Sequence, residues 1–395
     1  MSTNLEPLGE PIAPWPYFEE DEINAVVECL RSGKVNYWTG EEGRRFEEEY
    51  AASIASPHAV AVSNGTVSIE LALFALGLRA GDEVIVPSRT FFGTASAVAV
   101  RGLKPVVCDV DIESGNITAE TVEKVLTAKT RAVIPVHLAG WPCEMDSLLE
   151  LCKSRGLYLI EDCAQAHGAT YRGRQVGSMG DIGSFSFCQD KILTTGGEGG
   201  LIAVNDNEIY ERAWSYKDHG KGFGRVYRDE HPPGFRWLHD RFGTNFRMTE
   251  MQSAIGRLVL KKLPKWTERR AHNASVYSQY ISDLDNVRLP EPPNHVSHAY
   301  YKYYFYVRPE ALKSGWDRDR IRESLCDLGV PCFSGSCSEI YLEKAFSGIR
   351  PPGRLPNAKL LGETTLMLLV HPTLKQSWIE NAAELLREVL LRAKR

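Results

Sequence analysis

Along the first half of the chain, strand-like runs of hydrophobic residues alternate with segments in which hydrophobic residues recur with the period of a helix. Between about residues 58 and 205, short β-branched runs such as HAVAVS (58–63) and EVIVPS (83–88) precede turn residues and then a helical pattern. Runs at 131–140 and 157–162 continue this order. Because these runs are almost continuously apolar, they predict a mainly parallel sheet with helices on both faces.

The pattern changes after residue 180. IGSFSFC (182–188) and GLIAVN (200–205) predict two further strands, which would pair as a partly antiparallel edge of the sheet. Segment 217–247 is polar and rich in aromatic residues, with little periodicity, and 248–284 has a long helical pattern.

The last third of the chain predicts a second, smaller unit. YYKYYFYV (300–307) reads as a strand, and the chain ends in a strongly amphipathic helical pattern. We therefore predict an α/β protein with an N-terminal segment (1–20), a large domain (21–262) and a small C-terminal α+β domain (263–395).

Composition excludes several classes of protein. The 395 residues are 43% hydrophobic and 25% charged, which is typical of a soluble globular protein. A net charge of −5 provides no overall positive field for nucleic acid or an anionic membrane. The nine cysteines lack CxxC or zinc-ligand spacing, so we expect reduced thiols and no metal site. The start has no signal-peptide pattern, and we expect a cytoplasmic location.

Ligands of doubly wound sheets bind beyond the carboxyl ends of the strands, so the residues there are candidates for chemistry. The first end is Ser63-Asn64-Gly65-Thr66, at a strand-to-helix junction. Gly65 allows close approach of an anion to main-chain N–H groups, and Thr66 adds a hydroxyl, which together suit a phosphate. The alternative is an ordinary helix cap by Asn64 or Thr66.

The second end is Asp162, which an apolar strand delivers to the same edge. A carboxylate there can pair with a protonated ring nitrogen of a cofactor and make the ring a better electron sink. A strand-end aspartate is also a common cap, so both interpretations stay open.

The third end is SFSFCQDKILTTGGEGG (184–200). Serine and phenylalanine alternate, so Ser186 faces a ligand if the rings pack inward. Lys191 follows, and although most lysines are solvated, the glycines after Lys191 let the backbone pack closely around a ligand. A desolvated lysine amine can form a Schiff base with a carbonyl.

Pyridoxal phosphate (PLP) requires a phosphate site, a carboxylate and a lysine, one from each of these strand ends. From about Pro14 to the C-terminal helix, the chain resembles the DegT/DnrJ/EryC1/StrS family of PLP-dependent sugar aminotransferases, which have the aspartate aminotransferase fold of type I. Six motifs carry the resemblance, in the order SNGTVSIELAL, VIVPSRTFFGTASAV, PVHLAG, LIEDCAQAHGA, GSFSFCQDKILTTGGEGG and GTNFRMTEMQSAIG.

The resemblance implies a role for each matching residue. Lys191 matches the lysine that forms the internal aldimine and then moves the proton, and Asp162 matches the carboxylate on the pyridinium nitrogen. The other matches are Gln165 near the ring oxygen of the cofactor, Phe91 stacked on the pyridine face, Gly65, Thr66 and Ser186 around the phosphate, and Asn245 reaching the phosphate from the neighbouring subunit of a homodimer.

The implied reaction is a ping-pong transamination from L-glutamate or L-glutamine to a keto sugar. Cys188-Gln189-Asp190 stands where the family more often has His-Pro-Thr. A related branch of PLP-dependent sugar dehydratases has histidine at the position of Lys191, so the lysine favours transamination. A dehydratase and a non-enzymatic PLP-binding regulator are the alternatives.

The acceptor is either a nucleotide-linked keto-deoxysugar or a cyclitol ketone of the scyllo-inosose type. Segment 217–247 has seven Lys or Arg against four Asp or Glu, with interleaved aromatic residues, which suits a nucleotide diphosphate. The alternative is a solvated loop. Tyr37, Trp38 and His298 are expected near the substrate, against the alternatives of a surface turn and a structural histidine.

Overall fold

The computed structural model describes residues 5–395, so that residues 1–4 of the expected N-terminal segment lie outside it. The helices are α1 Glu20–Ser32, α2 Glu42–Ser53, α3 Gly65–Ala75, α4 Gly93–Val100, α5 Ala119–Glu123, α6 Met145–Arg155, α7 Asn207–Lys217, α8 Phe223–Tyr227, α9 Glu250–Ile281, α10 Arg318–Asp327, α11 Pro356–Thr364 and α12 Gln376–Ala393. Side-chain caps mark several starts, including Asn64 at α3 and Thr249 in a capping box at α9.

The strands are β1 His58–Val62, β2 Glu83–Pro87, β3 Lys104–Cys108, β4 Thr130–Val133, β5 Tyr158–Asp162, β6 Thr170–Tyr171, β7 Arg174–Gln175, β8 Ile182–Ser186, β9 Gly200–Val204, β10 Val287–Arg288, β11 Val296–Ser297, β12 Tyr303–Val307, β13 Cys332–Phe333 and β14 Thr365–Leu368. Seven of them form the central sheet, in the order β1-β9-β8-β5-β4-β2-β3. Its strands bury almost every side chain, as the continuous apolar runs predicted.

The central sheet is parallel except for β9, which pairs in antiparallel fashion with both β1 and β8. The predicted antiparallel pairing of 182–188 with 200–205 is therefore confirmed, as is the α/β fold class. Their predicted position at the edge of the sheet is wrong, because β1 packs outside β9 and forms the edge. Because β1, β8, β5, β4 and β2 all point the same way, their carboxyl ends lie at one edge of the sheet.

The apolar run at 131–140 differs from the prediction of one long strand. The strand ends at Val133, and Leu138–Gly140 form a short 3-10 turn. Within this turn Ala139 has a φ of 57°, a left-handed conformation that L-residues seldom adopt. The turn is held against another segment: the main-chain N–H groups of Ala299 and Tyr301 donate to Gly140 and Ala139, both at 2.9 Å.

A second sheet, β10-β12-β14-β13, lies in the C-terminal part of the chain and packs with α9, α10 and α12 around its own core. The predicted domain boundary between residues 262 and 263 falls within α9, whose 32 residues continue through it without a break. Ile255 and Val259 near the start of α9 belong to a core of the large unit, whereas Tyr277 and Ile281 belong to that of the small unit. The domain limits stay a prediction.

The N-terminal segment packs on the small unit before it reaches the large one. Leu5, Leu8 and Ile12 contact the small unit's core, and Leu8 donates a main-chain hydrogen bond to Leu328 at 2.9 Å. Further along, Trp15 packs edge-on against Trp266. The nine cysteines are free thiols, and none of the helices described in residues 5–395 is long and apolar enough to cross a membrane.

Candidate active site

The three strand ends singled out in the sequence meet at one edge of the central sheet. Gly200, the first residue of β9, pairs with Val62 at the end of β1 and with Ser186 at the end of β8. A Cβ atom on Gly200 would lie 2.2 Å from the carbonyl oxygen of Asn64, so only glycine fits between these ends. Asp162 ends β5, the neighbour of β8 on the other side.

Gly65 and Ser186 lie against each other at this edge. A Cβ atom on Gly65 would be 2.5 Å from the Cβ of Ser186, so the absence of a side chain brings the first turn of α3 onto the end of β8. Asn64 caps the helix by accepting from the N–H of Val67 at 3.0 Å. The capping interpretation is thus confirmed, but the cap leaves Gly65 and Thr66 at the helix N-terminus, where N–H groups lack partners within the helix.

Asp162 is a buried carboxylate, 4% exposed, whose hydrogen bonds come from neutral groups. Its Oδ2 accepts from Thr94 Oγ1 at 2.9 Å and its Oδ1 from the N–H of Ala164 at 3.1 Å. Burial raises the pKa of Asp162, while those hydrogen bonds and the charge of Lys191 act in the opposite direction. Such a carboxylate fits a ligand that brings a protonated nitrogen.

Lys191 lies in a largely enclosed position, with a side chain that is 15% exposed. Its Nζ is 3.5 Å from the hydroxyl of Tyr301 and 3.6 Å from Oδ1 of Asp190. Its carbonyl oxygen accepts a hydrogen bond from the indole N–H of Trp15 at 3.1 Å. The alternative of an ordinary solvated lysine does not describe this side chain.

Phe91 has the opposite character, because its ring is 69% exposed. A Cβ atom on Gly93 would lie 2.9 Å from the Phe91 ring and 3.2 Å from Oγ1 of Thr66, so these two predicted cofactor residues approach the same glycine. An aromatic ring left this open is available to stack on a planar ligand.

Gln165 fixes the turn after β4. Its Oε1 accepts from the N–H of Ala139 at 2.7 Å, the residue with positive φ. Its predicted place near the ring oxygen of the cofactor is untested.

Trp38 and Asn245 belong to one cluster around the buried Asp218. The indole N–H of Trp38 donates to Asp218 at 2.8 Å, and the ammonium of Lys221 lies 3.9 Å from its ring centre. Arg247 also pairs with Asp218 at 2.8 Å, and its N–H donates to Oδ1 of the exposed Asn245 at 3.3 Å. The carbonyl of Phe246 accepts from the N–H of Ser63, so this cluster adjoins the end of β1. The role of Asn245 in a neighbouring subunit stays a prediction.

Tyr37 and His298 have contacts within the fold. Tyr37 is buried, donates to Glu47 at 3.0 Å and has the ammonium of Lys217 at 3.8 Å from its ring centre. His298 accepts from the N–H of Tyr300 at 2.8 Å, and burial lowers its pKa to about 3. A role in substrate binding stays a prediction for both residues.

Sequence reasoning missed several residues of this site. His167 contacts the carbonyl of Ser186 at 2.8 Å and the hydroxyl of Tyr50 at 2.8 Å, and burial lowers its pKa to about 4. Thr94 could have been found, since it lies one helical turn after Thr90 in a predicted motif and the two hydroxyls are 2.9 Å apart. Trp15 and Tyr301 had no sequence signal, because both reach Lys191 from distant parts of the chain.

One group of possible metal ligands occurs among the described residues, formed by His137, Glu161 and Cys163. The oxygens of Glu161 accept from three main-chain N–H groups at 2.7 to 2.8 Å and face Nε2 of His137 at 3.1 Å. Burial raises the pKa of the Cys163 thiol well above its ordinary value. The group therefore reads as a buried structural network, and the expectation of no metal stays a prediction.

The parallel sheet with one reversed strand, and the lysine at its ligand edge, define a PLP-dependent transferase fold of type I. The model of the DegT/DnrJ/EryC1/StrS aminotransferase family matches residues 16–387. The chain belongs to this family, and the protein is an aminotransferase. The resemblance inferred from the six motifs is confirmed.

Three similar proteins illustrate the range of the family. An aminotransferase structure from Psychrobacter cryohalolentis is 51% identical, with a TM-score of 0.96, and the alignment covers 97% of this chain and 100% of that one. GDP-perosamine synthase of Escherichia coli O157:H7 is 36% identical, over 79% of this chain and 80% of its own. The dTDP-3-amino-3,4,6-trideoxy-alpha-D-glucose transaminase of Streptomyces venezuelae is 34% identical, over 92% and 90%.

Two more distant structures are described with a bound cofactor. NtdA of Bacillus subtilis, 26% identical with a TM-score of 0.82 over 94% of this chain and 82% of that one, holds PMP. The E. coli GDP-4-keto-6-deoxy-D-mannose-3-dehydratase, 26% identical with a TM-score of 0.84 over 96% and 98%, holds hydrated PLP. The family thus includes a dehydratase as well as aminotransferases.

Proposed function

We propose that this protein transfers an amino group from L-glutamate or L-glutamine to a nucleotide-linked keto-deoxysugar, with PLP bound at the edge of the central sheet. The observation that carries the proposal is Asp162. It is a buried carboxylate, hydrogen-bonded only to neutral groups among the described residues, and close enough to Lys191 for the lysine to lower its pKa. The pyridinium nitrogen of PLP would supply the charged partner that this carboxylate lacks.

The other residues fit the rest of the cofactor. Gly65, Thr66 and Ser186 would hold the phosphate at the N-terminus of α3, and the exposed ring of Phe91 would cover the pyridine face. When bound, PLP supplies an electron sink for the charge that develops on the substrate carbon. Lys191 would bind the aldehyde and, once released, take up and return the proton at that carbon through its Nζ.

The cofactor assignment is tested by absorbance. The protein is incubated with PLP and freed of excess cofactor. It is then expected to show a visible absorbance band above about 400 nm, of the kind that PLP shows when it is bonded to a lysine. Lys191→Ala should lack the band, whereas the exposed-lysine control Lys129→Ala should retain it. If the wild-type protein binds PLP without such a band, Lys191 is not the attachment residue.

The donor half-reaction tests the proposed amino donor. An aminotransferase incubated with glutamate and no sugar is expected to release one equivalent of 2-oxoglutarate per site and to keep the amino group on the cofactor. Repeating the half-reaction with glutamine in place of glutamate decides between the two donors. Mass spectrometry of the sugar product then separates transamination from dehydration, because only an aminotransferase leaves the donor nitrogen on the sugar, whereas a dehydratase gives a deoxygenated sugar without it.

Segment 217–247 supports the choice of a nucleotide-linked sugar. Five of its seven cations pair with carboxylates of the chain, but Arg236 and Arg241 have no carboxylate partner among the described residues. In the sequence, Arg236 stands between Phe235 and Trp237, and Arg241 directly precedes Phe242; all three rings are exposed. Two uncommitted guanidinium groups beside exposed aromatic rings suit a pyrophosphate and a base.

The substrate class is tested by the paired change Arg236→Ser with Arg241→Ser. We expect KM for a nucleotide-linked keto sugar to rise by about tenfold or more, while the release of 2-oxoglutarate from glutamate stays unchanged. The cyclitol alternative would be favoured instead if the enzyme aminates a free cyclitol ketone and if its KM is the same in the wild type and in the paired variant.

We also propose a homodimer in which Asn245 completes the neighbouring site. Its support is the exposure of Asn245 and of the adjacent loop aromatic Phe242, which is 99% exposed. Co-expressed Lys191→Ala and Asn245→Ala chains test the arrangement. Shared sites give heterodimers with one intact site and recovered activity, whereas Asn245 acting within its own subunit gives no recovery.

A further inference from the structure

A carboxylate stands directly before the lysine, at the position where the family more often has threonine. Asp190 Oδ1 is 3.6 Å from Nζ of Lys191, and its Oδ2 accepts a hydrogen bond from the hydroxyl of Tyr301. The same hydroxyl oxygen lies 3.5 Å from Nζ of Lys191. Asp190, Tyr301 and Lys191 therefore form a closed triangle of polar groups.

The direction of the hydrogen bonds follows from the charges. The side chain of Asp190 is 55% exposed, so it is only partly buried. Partial burial raises its pKa, but the neighbouring Lys191 charge, the Tyr301 hydroxyl and Lys302 outweigh this effect and hold the pKa below its ordinary value. Burial and the Asp190 charge raise the pKa of Tyr301. The phenol thus keeps its proton and donates a hydrogen bond to Asp190. A lone pair on the phenol oxygen is then free to accept a hydrogen bond from the Lys191 amine.

Tyr301 is held in place from several sides. Its N–H donates to the carbonyl of Ala139 at 2.9 Å, and its carbonyl accepts from Nη1 of Arg270 at 3.1 Å. Gln165 in turn fixes Ala139. Since Trp15 holds the carbonyl of Lys191, both partners of the contact have a fixed main chain.

Other charged groups surround the triangle, and most are cations. Lys302 has its Nζ 4.8 Å from the ring centre of Tyr301, and burial lowers its pKa to about 8. Arg270 is 1% exposed, and burial lowers its pKa to about 9. Asp162 and His167 lie close enough to Lys191 for its charge to act on the pKa of both groups. Asp190 is the carboxylate that contacts the lysine amine directly.

We propose that Asp190 and Tyr301 are positioning residues, which hold the Lys191 amine beside the cofactor site whenever it is not bonded to the cofactor. The inference rests on the role of Lys191 proposed above. An amine held in this way stays in reach of the carbon whose proton it must carry, and does not swing toward solvent. Asp190 acts through charge, and Tyr301 through the hydrogen bond that it accepts.

The test measures how fast the free amine reacts in cofactor-free protein, so it does not depend on the enzymatic activity. Protein is treated briefly with acetic anhydride at pH 8, and acetylation of Lys191 is followed by peptide mass spectrometry, with the exposed Lys129 as internal reference. Asp190→Asn should raise the rate at Lys191 by about threefold to tenfold, because the amine loses the charged contact that holds it away from solvent. Tyr301→Phe should raise it by about twofold.

Matched variants control for folding and for net charge. Tyr303→Phe removes a tyrosine hydroxyl that belongs to a residue only two positions along the chain from Tyr301 and that contacts Ser278 at 2.9 Å instead of Lys191, and Asp229→Asn removes an exposed acid. Both should leave the rate at Lys191 unchanged, and Asp190→Glu should restore a rate close to that of the wild type. Equal rates in wild type, Asp190→Asn and Tyr301→Phe would overturn the proposal. The PLP absorbance of the same preparations reports separately on the proposed function.

Discussion

Phe91 is a residue that we expect to matter for a ligand and not for the fold. Its ring is 69% exposed, so the folded chain gains little from burying it. It stands beside Gly93 and Thr66, where the predicted cofactor ring would lie. We therefore expect this ring to serve the ligand and to contribute little to the stability of the fold.

Phe91→Ala is expected to weaken PLP binding by about tenfold, through the loss of stacking worth about 1 kcal/mol and of apolar contact. The midpoint of thermal unfolding without PLP should change by less than about 2 °C, because an exposed ring is removed. Fluorescence titration gives the first quantity and circular dichroism the second. A large loss of stability with unchanged affinity would show that the ring belongs to the fold instead.

At the scale of elements, the site depends on how closely α3 approaches β8 and β9. Gly65 and Gly200 allow this approach, since a side chain on either would collide with Ser186 or with the main chain of Asn64. The helix N-terminus and the end of β8 are thereby brought to one place, where a phosphate can contact both.

Gly65→Ala is expected to reduce PLP affinity by about tenfold or more, because the added methyl group pushes α3 and Ser186 apart at the phosphate site. Gly348→Ala is the matched control, since nothing lies within 4 Å of a Cβ atom at that position. Isothermal titration with PLP compares the two variants. Wild-type affinity in Gly65→Ala would mean that the phosphate lies elsewhere.

The sequence predicted those parts of the fold and site that depend on local pattern. The strands of the central sheet, the antiparallel β8–β9 pair and the long helix α9 follow from hydrophobic period and turn residues. The contacts of Trp15 and of Tyr301 with Lys191 span 176 and 110 residues, and no local pattern encodes them. The run 131–140 predicts a longer strand than the structure has. Its first apolar residues belong to β4 and its last ones to a buried turn, and a continuous apolar pattern does not distinguish the two.

At the scale of the whole molecule, buried neutral histidines make stability depend on pH. His371 is 4% exposed, and burial lowers its pKa to about 3. In the unfolded chain the same residue has an ordinary pKa of about 6.5. Below that value the unfolded state therefore binds a proton that the folded state does not, and stability falls as the pH drops from about 6.5 towards 3.

His371→Gln should remove this contribution. Between pH 7 and pH 5, the free energy of unfolding of the wild type is expected to fall by about 2 kcal/mol more than that of the variant. Urea unfolding at both pH values measures the difference. His239→Gln, at an exposed position, should keep the full pH dependence of the wild type. Parallel pH profiles in wild type and His371→Gln would show that His371 titrates normally when folded.

Helix α9 limits where this chain could be recombined with a relative. A chimera joined near residue 262 would splice two different sequences inside one helix, two residues before Pro264. The first half of α9 packs in a core of the large unit and the second half in the core of the small unit, so this junction would combine core residues of one parent with a helix half of the other. A junction after Ile281 keeps the whole helix from one parent. Exchange of the C-terminal part between family members is therefore expected to preserve folding under two conditions. All of α9 must come from the same parent as the large unit, and the α12 of the other parent must present side chains that pack against this α9.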